Sequence, residues 1–172
     1  KQVLARGDKV HYLTTDKNKI ELNESYKGFY WNPALGEIDT DCLQGVSAII
    51  NLAGASISKR WTKPYKQIIR ESRINSLRTL YKAISQQKTH KVVSFVSASA
   101  IGIYPHSYNK LYEENEPDLA TDFLGSVVQD WEKEIRTFQS FTFSVATVRI
   151  GLVLSKKGGA LPQMVMPIRN YV

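Results

Sequence analysis

Residues 46–57 read Val-Ser-Ala-Ile-Ile-Asn-Leu-Ala-Gly-Ala-Ser-Ile, an apolar run that ends in Asn51, Leu52, Ala53 and Gly54. Such a run is typical of a parallel strand that is buried on both faces of its sheet. Ala53 and Gly54 carry little or no side chain, so a flat ring or a phosphate can approach their backbone. Ligands of open α/β sheets bind beyond the carboxyl ends of the strands. The stretch therefore predicts a nucleotide site, with an ordinary strand-to-loop turn as the alternative.

The composition is that of one globular domain with a sizeable core, at 172 residues and 42% hydrophobic. No apolar run is long enough to span a membrane, and no charged-then-apolar leader opens the chain, so the expected compartment is the cytoplasm. Cys42 is the single cysteine, which excludes an internal disulfide and a cysteine-rich metal site. We expect Cys42 to be a small, half-buried residue, and we expect no metal.

The net charge of +7 is concentrated in one segment, residues 59–91, which holds ten basic residues and the single acid Glu71. Such a segment can attract phosphates or nucleic acid. A solvated helix face explains it equally simply and is the interpretation we favour. Because no nucleic-acid-binding signature accompanies the charge, a nucleic-acid partner is not expected.

Predicted strands alternate with predicted helices along the chain. Apolar patterning and turn residues predict strands at 9–14, 28–31, 46–52, 92–97 and 142–154, and helices at 1–6, 64–86 and 123–138. Gly7 is the expected C-cap of the first helix, and Thr62 with Pro64 begins the second. Its buried stripe is predicted to include Ile68 and Ile69. This order indicates an α/β fold, a doubly wound parallel sheet.

The two ends of the chain do not fit a complete fold of this class. A dinucleotide-binding fold begins with a central strand and a Gly-rich turn, whereas this chain opens inside a helix. We expect the N-terminal strand, the Gly-rich turn and most of the C-terminal region to be missing, which leaves two unpaired strand edges in the sheet. Residues 1–155 would then form an incomplete NAD(P)-binding domain, and residues 156–172 the start of a substrate region.

Several short motifs occur in an order that resembles one protein family. They are Tyr30-Trp31-Asn32-Pro33, Ala53-Gly54-Ala55-Ser56-Ile57, Arg60-Trp61-Thr62, Ser72-Arg73, Ser97-Ala98-Ser99, Asp130-Trp131-Glu132 and Arg149-Ile150-Gly151. As a set they resemble the extended short-chain dehydrogenase/reductases, and more narrowly an atypical branch, the NAD-dependent epimerase/dehydratase-like or sugar nucleotide epimerase-like family. The resemblance implies a Rossmann-like sheet of strand order 3-2-1-4-5-6 and a small C-terminal substrate region.

The resemblance also implies catalytic residues, and the chain departs from them. Working members use a Ser or Thr with a Tyr-x-x-x-Lys pair, in which the lysine lowers the pKa of the tyrosine. The hydroxyl is available at Ser99, with Ser97 as the weaker candidate. Where the pair should stand, the chain has Phe123 and Val127. The sequence therefore predicts a non-standard active site that is a poor dehydrogenase on simple alcohols and sugar nucleotides.

Other side chains near this point can carry a proton. Tyr104 is the candidate acid, with packing against the cofactor or a loop as the alternative. His106 and the carboxylates of Glu113 and Glu114 are further candidates, although exposed loop residues look the same in a sequence.

The end of the second expected strand decides the choice of cofactor. An acid there favours NAD, whereas this chain reads Thr14-Thr15-Asp16-Lys17-Asn18-Lys19. Thr15 with the two lysines favours NADP, while Asp16 leaves NAD open. The predicted cofactor-binding residues are Thr14, Thr15, Asn32, Asn51, Ala53, Gly54, Ser97 and Arg149. For Arg149, a structural ion pair is the equally weighted alternative.

Two classes of function follow from these observations. One is an NAD(P)-dependent oxidoreductase or epimerase-like enzyme that acts on an unidentified small molecule. The other is an inactive dinucleotide-binding sensor or scaffold. Because the basic residues around the second helix would repel a second copy across a two-fold axis, we expect a monomer or a weak homodimer.

Overall fold

The structure is a computed structural model that describes residues 2–155 and 158–169. The described residues form four α-helices: α1 (Gln2–Ala5), α2 (Lys63–Ser85), α3 (Phe123–Thr137) and α4 (Ala160–Arg169). The eight strands are β1 (Val10–Thr14), β2 (Tyr26–Asn32), β3 (Glu37–Ile38), β4 (Ala48–Asn51), β5 (Ser94–Ala100), β6 (Ser144–Ile150), β7 (Leu154–Ser155) and β8 (Gly158–Gly159). Lys1, at the start of the predicted first helix, lies outside the described residues.

The strands form an α/β architecture with two three-stranded sheets, which confirms the predicted fold class. In the first sheet β1 pairs in parallel with β2, and β3 adds an antiparallel edge. In the second sheet β4, β5 and β6 are all parallel. Within the described part of the chain, β1 and β4 each have a single neighbour, so each leaves one edge unpaired, as the sequence led us to expect.

The prediction that the strand at 46–52 is buried on both faces is wrong. Ile50 is 60% exposed and Leu52 is 70% exposed, while Asn51 between them is buried. The cause is that α2 and α3 both pack on the face of the sheet that carries Phe95. On the opposite face Val148 is 48% exposed.

One hydrophobic core joins both sheets to the two long helices. Phe95 of β5 stacks on Phe138 at a centroid distance of 4.2 Å, and both rings are fully buried. Leu77 from α2 and Trp31 from β2 belong to the same core. Aromatic burial of this kind contributes much of the stability of a small domain.

Helix α2 begins as predicted, but its buried stripe is narrower. Thr62 is its N-cap, and its hydroxyl accepts a hydrogen bond from the Tyr65 N–H at 3.3 Å. The predicted burial of Ile68 is wrong, since Ile68 is 49% exposed while Ile69 is fully buried. Adjacent helical residues point about 100° apart, so only one of the two can face the core.

The sequence does not predict the short strand β3, because a strand of two residues is too short to show an alternation of apolar and polar side chains. It forms a hairpin with β2 through a turn in which the Leu35 N–H donates to the Asn32 carbonyl at 3.0 Å. Gly36 completes the turn at a φ of 69°, a conformation that favours glycine. The last long strand is also shorter than predicted, because β6 ends at Ile150.

The end of the chain forms a small unit in which β7 and β8 pair in antiparallel fashion and α4 contacts both. Strand β8 and helix α4 fall in the stretch 156–172 that we predict to open a substrate region, whereas β7 lies just before it. Residues 156, 157 and 170–172 of that stretch lie outside the described residues. None of the helices that the structure describes is long and apolar enough to cross a membrane.

Candidate active site

Asn51 ends β4 and lies beside its register partner Ser97. Ser97 lies in the middle of β5, because that strand continues to Ala100 and not only to the predicted end at residue 97. The Asn51 Nδ2 donates to the Ser97 Oγ at 3.1 Å, and both residues are buried. The Asn51 Oδ1 accepts a hydrogen bond from the Ala53 N–H at 3.3 Å, which fixes the first turn of the loop. The Gly54 N–H next to it has no acceptor within the described part of the chain. The loop thus presents a free donor on exposed backbone.

A buried carboxylate, Glu132 of α3, joins Ser99 to Arg149 across neighbouring strands. The Ser99 Oγ donates to the Glu132 Oε1 at 2.7 Å. Arg149 holds the same carboxylate through both oxygens, at 2.8 Å from Nε to Oε1 and 2.9 Å from Nη2 to Oε2. Ser99 and Arg149 are register partners in β5 and β6, so the parallel sheet itself aligns them. This is a bidentate ion pair, the strong form of an arginine–carboxylate contact.

Tyr104 lies at the outer end of this network. The Arg149 Nη1 donates to the Tyr104 hydroxyl oxygen at 2.7 Å and to the Glu114 carbonyl at 2.8 Å. The Tyr104 ring stacks on Tyr112 with a centroid distance of 5.1 Å. The hydroxyl oxygen therefore accepts a hydrogen bond, while its own hydrogen has no acceptor among the residues described.

The electrostatics of the network favour the ion pair. Burial works to raise the pKa of Glu132, but hydrogen bonds from Arg149 and Ser99 outweigh it, so this pKa is lowered. The hydrogen bond to Glu132 raises the pKa of Arg149. Of the two interpretations of Arg149, the structure shows the ion pair, and four of its five N–H groups are used by protein acceptors.

Glu132 is the residue that the sequence reasoning missed. It lies within the Asp130-Trp131-Glu132 motif and is 5% exposed. The available signal was its position four residues after Val128 and three before Ile135, both buried on α3. A carboxylate on a buried helix face requires a cation or several donors, which is a reason to look for Arg149.

The residues in place of the usual Tyr-x-x-x-Lys pair are packed as apolar residues. Val127 is 2% exposed. The Phe123 ring contacts Trp61 edge-on at 5.7 Å between centroids, and the Lys66 Nζ lies 4.9 Å from its centroid. Neither position holds a proton donor or a charge.

A second group of predicted residues lies at the ends of β1 and β2. Thr14 ends β1, Thr15 follows it, and Asn32 ends β2; the two strands pair in parallel. The Thr14 hydroxyl bonds to the backbone of Asp16. Thr15 is exposed, and its hydroxyl makes no hydrogen bond to a described residue.

The charged side chains beside this group already have protein contacts. Lys17 lies 4.8 Å from the Tyr30 ring centroid, and Lys19 pairs with Asp16 at 3.8 Å. The structure thus brings the predicted residues together in two groups, one at each sheet.

The side chains of the remaining candidate site residues take no part in these hydrogen-bond networks. His106 is exposed and contacts Tyr108, and the side chains of Glu113 and Glu114 are exposed. Cys42 is buried rather than half-buried, because the short helical turn that carries it packs its side chain into the hydrophobic core. Burial raises the pKa of its thiol to about 12. Within the described residues, no group of three or more His, Cys, Asp or Glu side chains can hold a metal ion.

Comparison with known proteins shows which proteins the chain is related to. No family model matches it. An epimerase family protein of Staphylococcus haemolyticus is 38% identical over 171 residues, which are 99% of this chain and 52% of that protein. Another, of Staphylococcus aureus strain N315, is 40% identical over 162 residues, or 94% of this chain and 53% of that protein. The chain is a homologue of the epimerase family proteins. It spans about half the length of these curated relatives.

Solved structures agree with this assignment. Human epimerase family protein SDR39U1, isoform 2, solved with NADPH, superposes with a TM-score of 0.76 at 24% identity, over 98% of this chain and 54% of that one. A nucleoside-diphosphate sugar epimerase from Corynebacterium glutamicum gives a TM-score of 0.67 at 28% identity, over 86% of this chain and 30% of that one. The resemblance to an atypical extended short-chain dehydrogenase/reductase of the epimerase type is confirmed.

Proposed function

We propose that the full-length epimerase family protein binds a nicotinamide dinucleotide at the carboxyl ends of its parallel strands. The geometry fits such a ligand, because Asn51 fixes a loop whose Gly54 N–H is free and exposed. Thr15 and Asn32 at the neighbouring sheet have side chains that can bind an adenosine. The human relative in fold was solved with NADPH, which supports the proposal. NADP is the preferred form, since Thr15 stands where an acid would favour NAD.

We further propose that the protein is an oxidoreductase or epimerase-like enzyme whose proton donor is Tyr104. The observation that carries this proposal is the hydrogen bond from Arg149 to the Tyr104 oxygen, at 2.7 Å. Tyr104 gives its hydroxyl proton to the substrate oxygen, and the phenolate that remains keeps the bond from Arg149. A nicotinamide bound at the site would supply the hydride for this reduction; in the reverse oxidation it would accept the hydride while the Tyr104 phenolate takes the proton back. In this scheme Arg149 holds the Tyr104 oxygen in place while the proton leaves.

Ser99 and Glu132 act as positioning residues in this scheme. The Ser99 hydroxyl hydrogen points to Glu132, and Ser99 is 3% exposed, so it orients the carboxylate rather than the substrate. Glu132 in turn holds Arg149 in the plane from which it donates to Tyr104. The cation beside Tyr104 is already paired with the Glu132 carboxylate, unlike the lysine of the usual pair. Slow turnover is therefore expected.

The alternative function is a dinucleotide-binding sensor or scaffold, which the apolar packing of Phe123 and Val127 favours. Isothermal titration of the full-length protein with NADPH, NADP, NADH and NAD tests the shared step. Binding of at least one, with NADPH the tightest, is expected. No measurable heat with any of them at millimolar concentration would contradict both functions.

A further inference from the structure

Arg73 of α2 carries a half-buried guanidinium that no carboxylate among the described residues neutralises. Four other arginines of the described chain contact an acid, namely Arg6, Arg70, Arg78 and Arg149. Arg73 contacts none, and burial lowers its pKa. A charge taken partly out of water without a counter-ion is unfavourable, so its surroundings are incomplete as they stand.

The guanidinium is held rigidly beside the loop of the candidate nucleotide site. Its Nη1 donates to the Ile69 carbonyl at 2.8 Å and to the Ala55 carbonyl at 3.3 Å. Its Cζ lies 5.1 Å from the centroid of a Trp131 ring, in a cation–π contact. A Cβ placed on Gly54 would lie 3.1 Å from the same Cζ, so the Gly54 backbone lies directly against the guanidinium.

Part of the hydrogen-bonding capacity of Arg73 is unused. An arginine has five N–H groups, and the two bonds described above both come from Nη1. Nε and Nη2 have no acceptor among the described residues. The indole on which Arg73 stacks also has a buried Nε1–H without an acceptor. Nε and Nη2 of Arg73 and Nε1 of Trp131 are thus donors for which the described residues offer no acceptor.

We propose that Arg73 binds a phosphoryl group of a ligand that lies over Gly54, with Nε and Nη2 donating to two of its oxygens. Planar, bidentate recognition of phosphate is the contact for which a guanidinium is suited. The inference rests on the proposed function for its ligand. The phosphoryl group belongs either to the diphosphate of the dinucleotide or to a phosphorylated substrate, and both sources present the same chemistry.

Arg73→Met in the full-length protein tests the proposal, because it removes the charge and keeps a long apolar side chain against Trp131. Ser72→Ala is the matched control. The Ser72 hydroxyl accepts the Ala55 N–H at 2.9 Å, so it holds the same loop to the same helix without any charge. Binding of NADPH, inorganic pyrophosphate and uridine diphosphate is measured by isothermal titration for each variant.

We expect Arg73→Met to weaken pyrophosphate binding by about 10- to 100-fold, while Ser72→Ala leaves it within about threefold. An equal loss for NADPH assigns the phosphoryl group to the dinucleotide. A loss for uridine diphosphate with unchanged NADPH binding assigns it to the substrate. If Arg73→Met does not fold, Arg73→Lys replaces it. That variant keeps the charge but not the planar fork, and at least a several-fold weakening is expected.

Three results would overturn the inference: unchanged binding of all three probes by the arginine variant, an equal loss in the Ser72→Ala control, or no binding of any probe by the unmodified protein. The proposed function fails separately. If the unmodified protein binds pyrophosphate through Arg73 but binds none of the four dinucleotides, the phosphoryl site stands and the proposed function falls.

Discussion

Arg149 holds both carboxylate oxygens of Glu132, at 2.8 and 2.9 Å, and thereby ties the last long strand of the parallel sheet to helix α3. Glu132 is 5% exposed. A carboxylate in such a place depends on its donors, because an unpaired buried charge costs several kcal/mol. The pair is therefore both a support of the fold and the part of the site that orients Tyr104.

Glu132→Gln is expected to lower the free energy of unfolding by ~1.5–3 kcal/mol, the range for lost hydrogen bonds to a charged group. The isosteric amide cannot accept both bonds from Arg149 and leaves its charge unpaired. Urea unfolding followed by circular dichroism measures the change. Glu134→Gln is the matched control, since Glu134 lies on the same helix and pairs with the exposed Arg78. A loss below ~1 kcal/mol is expected there, and equal losses in the two variants would contradict the assignment.

The same carboxylate makes the stability depend on pH. Because the pKa of Glu132 is lowered in the folded protein, the unfolded chain binds the proton more readily below the ordinary value of 4.5. The stabilisation is complete above that value and is lost as the pH falls through the lowered pKa. Unfolding titrations between about pH 6 and pH 3 should show a slope that is reduced in Glu132→Gln. Part of the slope should remain, since Lys110 lowers the pKa of Glu116 as well. An unchanged slope would count against a depressed carboxylate.

Of the two substitutions that would restore the usual Tyr-x-x-x-Lys pair, we expect the fold to tolerate the one at Phe123 but not the one at Val127. Phe123→Tyr is expected to fold, because the Phe123 ring is only partly buried. Adding Val127→Lys places an ammonium at a position that is 2% exposed, which is expected to cost several kcal/mol and to prevent folding. Thermal unfolding of the single and double variants checks this. A double variant as stable as Phe123→Tyr alone would show that a lysine at 127 finds a partner.

We also expect the full-length protein to be a monomer or a weak homodimer. Helices α2 and α3 are joined by ion pairs of Arg70 with Asp130 and of Arg78 with Glu134, and the other basic residues of α2 are left to repel a second copy. Light scattering at micromolar concentration in low salt should give the mass of one chain. A tight dimer that persists at nanomolar concentration would contradict the expectation.

The sequence predicts the parts of this molecule that depend on local pattern. The strand end at Asn51, the strand that carries Ser97, the N-cap at Thr62 and the apolar stripe of α3 all follow from residue type and spacing. The pairing of Glu132 with Arg149 joins residues that lie 17 positions apart on different elements, and neither residue alone reveals it. The sequence also could not predict that one face of β4 is exposed, because an apolar run looks the same whether helices cover one face of the sheet or both.

The most direct measurement of the central claim compares the turnover of Tyr104→Phe with that of the unmodified full-length protein, using NADPH and a panel of carbonyl substrates that includes nucleotide sugars. Tyr108→Phe is the control, since Tyr108 lies in the same segment, is 92% exposed, and its hydroxyl makes no hydrogen bond to any described residue. The account predicts slow turnover, below the enzyme median of ~10 s⁻¹. That rate should fall by a factor of ~10²–10⁴ in Tyr104→Phe and stay within about twofold in the control. A Tyr104→Phe variant that retains the full rate, or tight NADPH binding without any turnover by the unmodified protein, would contradict it.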